Sequence, residues 1–86
     1  MNFNISDHAR QEMLRRSISL EHLETLLRSP QQVIPERSGR KVYQSQIDFG
    51  GGKIFLLRAI VDDTIEPVTV ITVYRTTKIN KYWRSI

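Results

Sequence analysis

Hydrophobic positions in the first third of the chain recur at helical spacing. Ile5, Ala9, Met13 and Leu14 mark one stripe, Ser6 can cap it, and Asp7 favours the positive helix end, which predicts a helix from Asp7 to about Arg16. Arg15-Arg16 suits the negative end, and Ile18 reads as a buried plug in the connection. Ser19 caps a second predicted helix from Leu20 to about Arg28, with Leu20, Leu23, Leu26 and Leu27 as its buried stripe, and Pro30 ends it. Two short helices joined this closely predict an αα-hairpin. From residue 31 the period changes to two. Val33-Ile34 is a short strand or connector ended by Pro35, and Arg40 to Asp48 is a half-exposed strand. The Gly50-Gly51-Gly52 cluster is a turn. Lys53 to Val61 is a central strand, apolar apart from Arg58, and Asp62-Asp63 begins another turn. Val68 to Arg75 is the last strand, with Val68, Val70, Thr72 and Tyr74 on one face and Thr69, Ile71, Val73 and Arg75 on the other. Phe3 opens the chain in a brief extended segment. The fold expected is α+β, an N-terminal αα-hairpin packed on one face of an antiparallel sheet of three or four strands. Helices that precede a meander cover one sheet face, so function is sought on the other.

Composition narrows the class. Eighty-six residues make one domain, 40% hydrophobic and 26% charged, which is ordinary for a folded chain. There is no cysteine, hence no disulfide framework or thiolate metal site, and two histidines make a poor zinc shell. No apolar run approaches the roughly 18 residues of a membrane span, and the first residues show no basic segment leading into an apolar one, so no membrane contact and a cytoplasmic location are expected. The net charge of +4 is unevenly placed. All nine acids precede residue 67, where nine Lys/Arg balance them; beyond it stand Arg75, Lys78, Lys81 and Arg84 with no acid, interleaved with Tyr74, Tyr82 and Trp83. Such a segment can hold phosphates and stack bases, dock on an acidic protein, or form a solvated basic end.

Candidate chemistry is sparse. The glycine cluster lacks the spacing and the following helix of a nucleotide-binding loop, and no serine stands in a nucleophile motif. His8 and Glu12, one helical turn apart, read as a hydrogen-bonded helix-face pair rather than a metal site. No metal or cofactor is expected. What stands out is cations on strands. Arg58 interrupts an apolar strand, so its guanidinium either reaches solvent on the open face or pairs with a carboxylate. Arg75, Lys78, Lys81 and Tyr82 lie close enough in sequence to converge on one phosphodiester if the chain turns back, with Tyr82 or Lys78 in proton transfer. His8 is a secondary acid or base, since imidazole titrates near neutrality. Lys53, Arg75, Lys78, Lys81 and Arg84 make up the nucleic-acid-binding set. Tyr82-Trp83 serves either as a hydrophobic clasp or as a stacking element.

His8-Ala9 and Met13 in the first helix, Arg16-x-Ile18 at the junction, Ser29-Pro30 after the second helix, and Ile71-Thr72-Val73-Tyr74 with Lys78 and Tyr82-Trp83 resemble a family of small bacterial proteins known as a domain of unknown function. Glu12 stands where that pattern has arginine. The family is similar in helix-strand order to the RelE/ParE toxin superfamily, especially its BrnT-like members. That resemblance implies a type II toxin acting as a messenger-RNA endoribonuclease, ribosome-dependent or free, neutralised by an antitoxin. It also implies catalytic positions at Arg58, Arg75 and Tyr82, with Lys53 and Lys78 beside them. ParE-like relatives of the same fold act on gyrase instead. Two expectations result: a toxin-like RNA-binding protein and metal-independent endoribonuclease, or a non-catalytic module whose basic open face docks an acidic partner such as an antitoxin segment. The sequence carries nothing that sets an oligomeric state.

Overall fold

A computed structural model describes residues 2–85. Its elements run β1 (Phe3–Ile5), α1 (Asp7–Arg15), α2 (Leu20–Arg28), β2 (Gln32–Pro35), β3 (Lys41–Asp48), β4 (Ile54–Asp62), β5 (Val68–Thr76) and α3 (Ile79–Tyr82). The strands form one five-stranded sheet in the order β1-β5-β4-β3-β2. The sheet is mixed: β1 runs parallel to β5, and every other pair is antiparallel. The expectation of an antiparallel sheet of three or four strands is corrected on both counts, and the brief extended segment at Phe3 becomes an edge strand. Ser6 supplies the reason. Its N–H donates to Val70 O at 3.0 Å and its hydroxyl to Ile71 O at 2.7 Å, while the same hydroxyl accepts Ala9 N–H at 3.0 Å. One side chain thus caps α1 and fastens the chain before it to β5.

The helices end where their caps predict. Ser19 accepts His22 N–H at 3.0 Å and His22 Nδ1 accepts Ser19 N–H at 3.4 Å, a capping box closed by histidine. The two helices do not make the expected αα-hairpin. Each is laid on the sheet, α1 against β5 and α2 against β3. The buried stripes are therefore narrower than the spacing implies. Ala9, Met13, Leu23, Leu26 and Leu27 join Ile18 in the core, whereas Leu14 is 84% and Leu20 52% exposed, because a helix on a sheet needs only the strip facing it.

Residues paired across strands share a face. Tyr43, Ala59 and Val73 are in register, as are Ser45, Leu57 and Arg75, and all of these face the helices. Gln44, Arg58 and Tyr74 are in register on the opposite face. The strict alternation expected for β5 fails at Ile71. Ile60 pairs with Thr72 while Val61 pairs with Val70, so Ile71 is the extra residue of a bulge, and both Val70 and Val73 turn into the core. The second face is not open either: the segment after β5 turns back across it. Val42, Gln44 and Leu56 on that face are all buried.

Leu57 is fully buried in the core, so Leu57→Ala is expected to destabilise by about 2–5 kcal/mol, against less than about 0.5 kcal/mol for Leu14→Ala, as read by denaturant unfolding. Glu12 gives a pH signature. Hydrogen bonds from Arg15 first, and then from Arg16, draw its pKa from 4.5 to about 2. A carboxylate shifted down contributes stability that is complete above its unfolded pKa and is lost as pH falls through its folded one. The stability difference between wild type and Glu12→Gln is expected to be constant above about pH 4.5 and to vanish toward about pH 2, as measured by unfolding at a series of pH values.

Candidate functional site

The sequence puts an arginine in the middle of β4, the central strand, where an unpaired guanidinium is costly. No carboxylate pairs with Arg58 among the described residues. Its Nε donates to Gln44 Oε1 at 2.9 Å and its Nη1 to the Tyr74 hydroxyl at 2.5 Å, and the Tyr82 ring lies over it with the centroid 4.1 Å from Cζ. Two of its five N–H donors are thereby engaged and three are left for a ligand. Gln44 is fully buried, and its amide donates on to Gln32 Oε1 at 2.7 Å and to the Tyr82 carbonyl at 3.2 Å. Gln32 in turn accepts Arg84 N–H at 3.1 Å and donates to Arg84 O at 2.7 Å. This ladder of amides ties the C-terminal segment down across β3 and β2.

Arg16, at the end of α1, brings its guanidinium 6.0 Å from the Tyr74 ring centroid, and Glu12 holds it from the other side at 3.3 Å. The expected His8–Glu12 pair is replaced by this one, because Arg15 and Arg16 offer charged donors within reach; His8 itself is exposed on the first turn of α1 and makes no contact with the cluster. Burial raises the Tyr74 pKa, more than the adjacent Arg58 lowers it. The Tyr82 hydroxyl is shifted the other way. The Lys81 ammonium, 5.2 Å from its ring centroid, is the main cause, followed by the Tyr74 hydroxyl, and Arg58 adds to both. A phenol beside two cations loses its proton more readily than a free one.

Of the residues singled out from sequence, the fold brings Arg58, Tyr82 and Lys81 together. Lys78 and Lys81 are exposed along a shallow groove of about 580 Å³ that Gln46 and Trp83 also line, next to the cluster. Arg84 is exposed at the end of the amide ladder. Arg75 is not part of this group. It faces the helices, its guanidinium 4.4 Å from the Phe49 and 4.5 Å from the Phe55 ring centroid, with exposed Lys53 beside the same Phe55. Arg58 and Arg75, which the toxin resemblance implies as joint catalytic positions, do not converge, since Arg58 pairs with Tyr74 and the next residue must point the other way. Sequence reasoning missed Gln44, Tyr74 and Arg16. Tyr74 and Arg16 lie within the quoted family pattern and were legible as polar groups; Gln44 looked like any exposed strand position.

The chain belongs to the family described as a domain of unknown function, DUF4258, whose model matches residues 5–75. No curated protein and no solved structure matches it. The matched span takes in Arg16, Gln44, Arg58, Tyr74 and Arg75 and stops before Lys78, Lys81, Tyr82 and Arg84. No helix among the described residues is long and apolar enough to cross a membrane, and no group of three His, Cys, Asp or Glu side chains lies together there.

Tyr82 is expected to ionise at lower pH than Tyr74 in an ultraviolet phenolate titration. Tyr82→Phe should remove the early step, and Lys81→Ala should move it to higher pH, because loss of the ammonium removes the main cause of the shift.

Proposed function

We propose that this domain is a toxin-like RNA-binding protein that holds a phosphodiester at Arg58, with Tyr82 as the proton-transfer group of a metal-independent cleavage. The observation that carries this is a guanidinium with no carboxylate partner, fixed by Gln44 and Tyr74 beneath a tyrosine whose hydroxyl is made more acidic by its neighbours. Arg58 is suited to neutralise charge on the phosphate as it grows in the transition state. As its phenolate, Tyr82 is suited to take the proton of a ribose 2'-hydroxyl as that oxygen bonds to phosphorus; the 5'-oxygen leaves with a proton from water, and the hydroxide so formed recovers the phenolate. Lys78 and Lys81 extend the acid-free surface along which the backbone would run. The order of a strand, two helices and a meander is in keeping with the RelE/ParE-like resemblance and its BrnT-like members, an analogy that bears on the fold more than on the chemistry. The catalytic set is thereby reduced to Arg58 and Tyr82, with Lys81 and Lys78 in support; His8 and Arg75 stand apart from it.

A second reading keeps the basic face but removes the reaction: a protein-binding module that receives an acidic partner, such as an antitoxin segment. It is favoured by the outer edge of β2, which has no strand neighbour among the described residues and borders a groove formed by Gln31 to Pro35 and Arg84.

The deciding experiment incubates purified wild type, Tyr82→Phe and Arg58→Met with RNA, both free and on ribosomes, in the presence of a chelator. Wild type is expected to give fragments ending in a 2',3'-cyclic phosphate. Tyr82→Phe, which keeps the ring over Arg58, should slow cleavage by about 10²-fold while binding is retained, and Arg58→Met should weaken binding about tenfold. Intact RNA and no binding by soluble wild-type protein would transfer the assignment to the docking module.

A further inference from the structure

We infer that a second phosphate-binding site lies on the helix-facing side of the sheet, built by Arg75 and Lys53 on a platform of Phe49 and Phe55, with His22 at its flank. It takes a backbone phosphate of single-stranded RNA. The inference rests on the RNA-binding reading for the identity of the anion, but its residues are separate from the Arg58 cluster.

Four parts of the chain converge to make this site: α2 brings His22, the β3–β4 turn brings Phe49 and Lys53, β4 brings Phe55, and β5 brings Arg75. The rings pack in a chain, His22 to Phe49 at 4.3 Å and Phe49 to Phe55 at 5.3 Å between centroids. Arg75 lies against both phenylalanines, at 4.4 and 4.5 Å, and Lys53 is 5.6 Å from the Phe55 centroid. Phe55 thus carries two cations.

Arg75 has neither a hydrogen-bond acceptor nor an ion-pair partner among the described residues. Arg75 is half-buried, and none of its nitrogens is fully shut off from water. A guanidinium held against two rings has lost part of the freedom that a surface arginine would lose on binding, yet none of its five N–H groups is engaged in a hydrogen bond among the described residues. That is the preorganisation a phosphate site requires, and Lys53 supplies a second charge that no carboxylate neutralises. Asp48, the acid nearest Phe49 in sequence, accepts Gly50 N–H at 2.7 Å within the turn. His22 Nδ1 is engaged by Ser19 N–H, so in the neutral ring the proton sits on Nε2, a further donor.

The test is fluorescence anisotropy of a short labelled oligouridylate on the full chain across a salt series, with unfolding curves for each variant. Arg75→Gln is expected to weaken binding about tenfold and to lower the slope of log affinity against log salt by about 0.7, the value for one single-strand contact. Lys53→Gln, on the exposed turn, should cost about threefold and serves as the deciding variant if Arg75→Gln fails to fold. Losses from these variants should multiply with that of Arg58→Met, because the two clusters share no side chain. Wild-type binding that neither Arg75→Gln nor Lys53→Gln alters overturns the second site and leaves the Arg58 reading standing. Absence of wild-type binding overturns both.

Discussion

The structure is organised around one charge that cannot be left alone. Arg58 stands in the central strand with strands on both sides, where an uncompensated guanidinium would cost several kcal/mol. Its compensation comes from three different elements: Gln44 on β3, Tyr74 on β5 and the ring of Tyr82 on α3. Each hydrogen bond to a charged group contributes about 1.5–3 kcal/mol, and stacking on an aromatic ring about 0.5–2 kcal/mol. Gln44 carries the constraint outward, since its amide binds both β2, through Gln32, and the carbonyl of Tyr82. One arginine therefore explains a buried glutamine, the position of the C-terminal segment and the polar row of Gln44, Arg58 and Tyr74 across the sheet.

The separation of Arg58 from Arg75 follows from strand geometry. Side chains alternate, and pairing Arg58 with Tyr74 sends Arg75 to the other side, opposite Leu57. The bulge at Ile71 does not alter this, because it lies before both positions on β5. The result is two cationic centres with different surroundings. One is held by polar neighbours under a tyrosine; the other rests on phenylalanine rings and has no polar partner among the described residues. Acids are distributed accordingly. Glu12 neutralises Arg15 and Arg16, and Asp63 holds Lys41 at 2.7 Å, while no carboxylate pairs with Arg58 or Arg75 among the described residues.

Local signals were read correctly where a single residue decides the local backbone. Ser6 and Ser19 cap the helices because a hydroxyl satisfies an orphan N–H, Pro30 ends α2, and three glycines with positive φ make the β3–β4 turn. The strands at β3 to β5 were legible from period and β-branching. Leu14 and Leu20 were misread, because helical spacing gives the width of a stripe and not how much of it a neighbour covers. The αα-hairpin was misread for the same reason: two apolar stripes can face each other or a common sheet, and the sequence is the same in either case.

The amino-acid sequence by itself determined the elements, their caps and turns, the acid-free stretch after Glu66 and the presence of an arginine that had to be accommodated. Only the tertiary structure decided that β1 runs parallel to β5, that the tail crosses the second face, that Arg58 is met by an amide and two tyrosines, and that Arg75 is elsewhere. The physical reason is range. Caps, turns and periods act within a few residues, whereas the pairing register and the seat of the tail depend on contacts such as Ser6 with Ile71 and Gln32 with Arg84, between residues far apart in sequence.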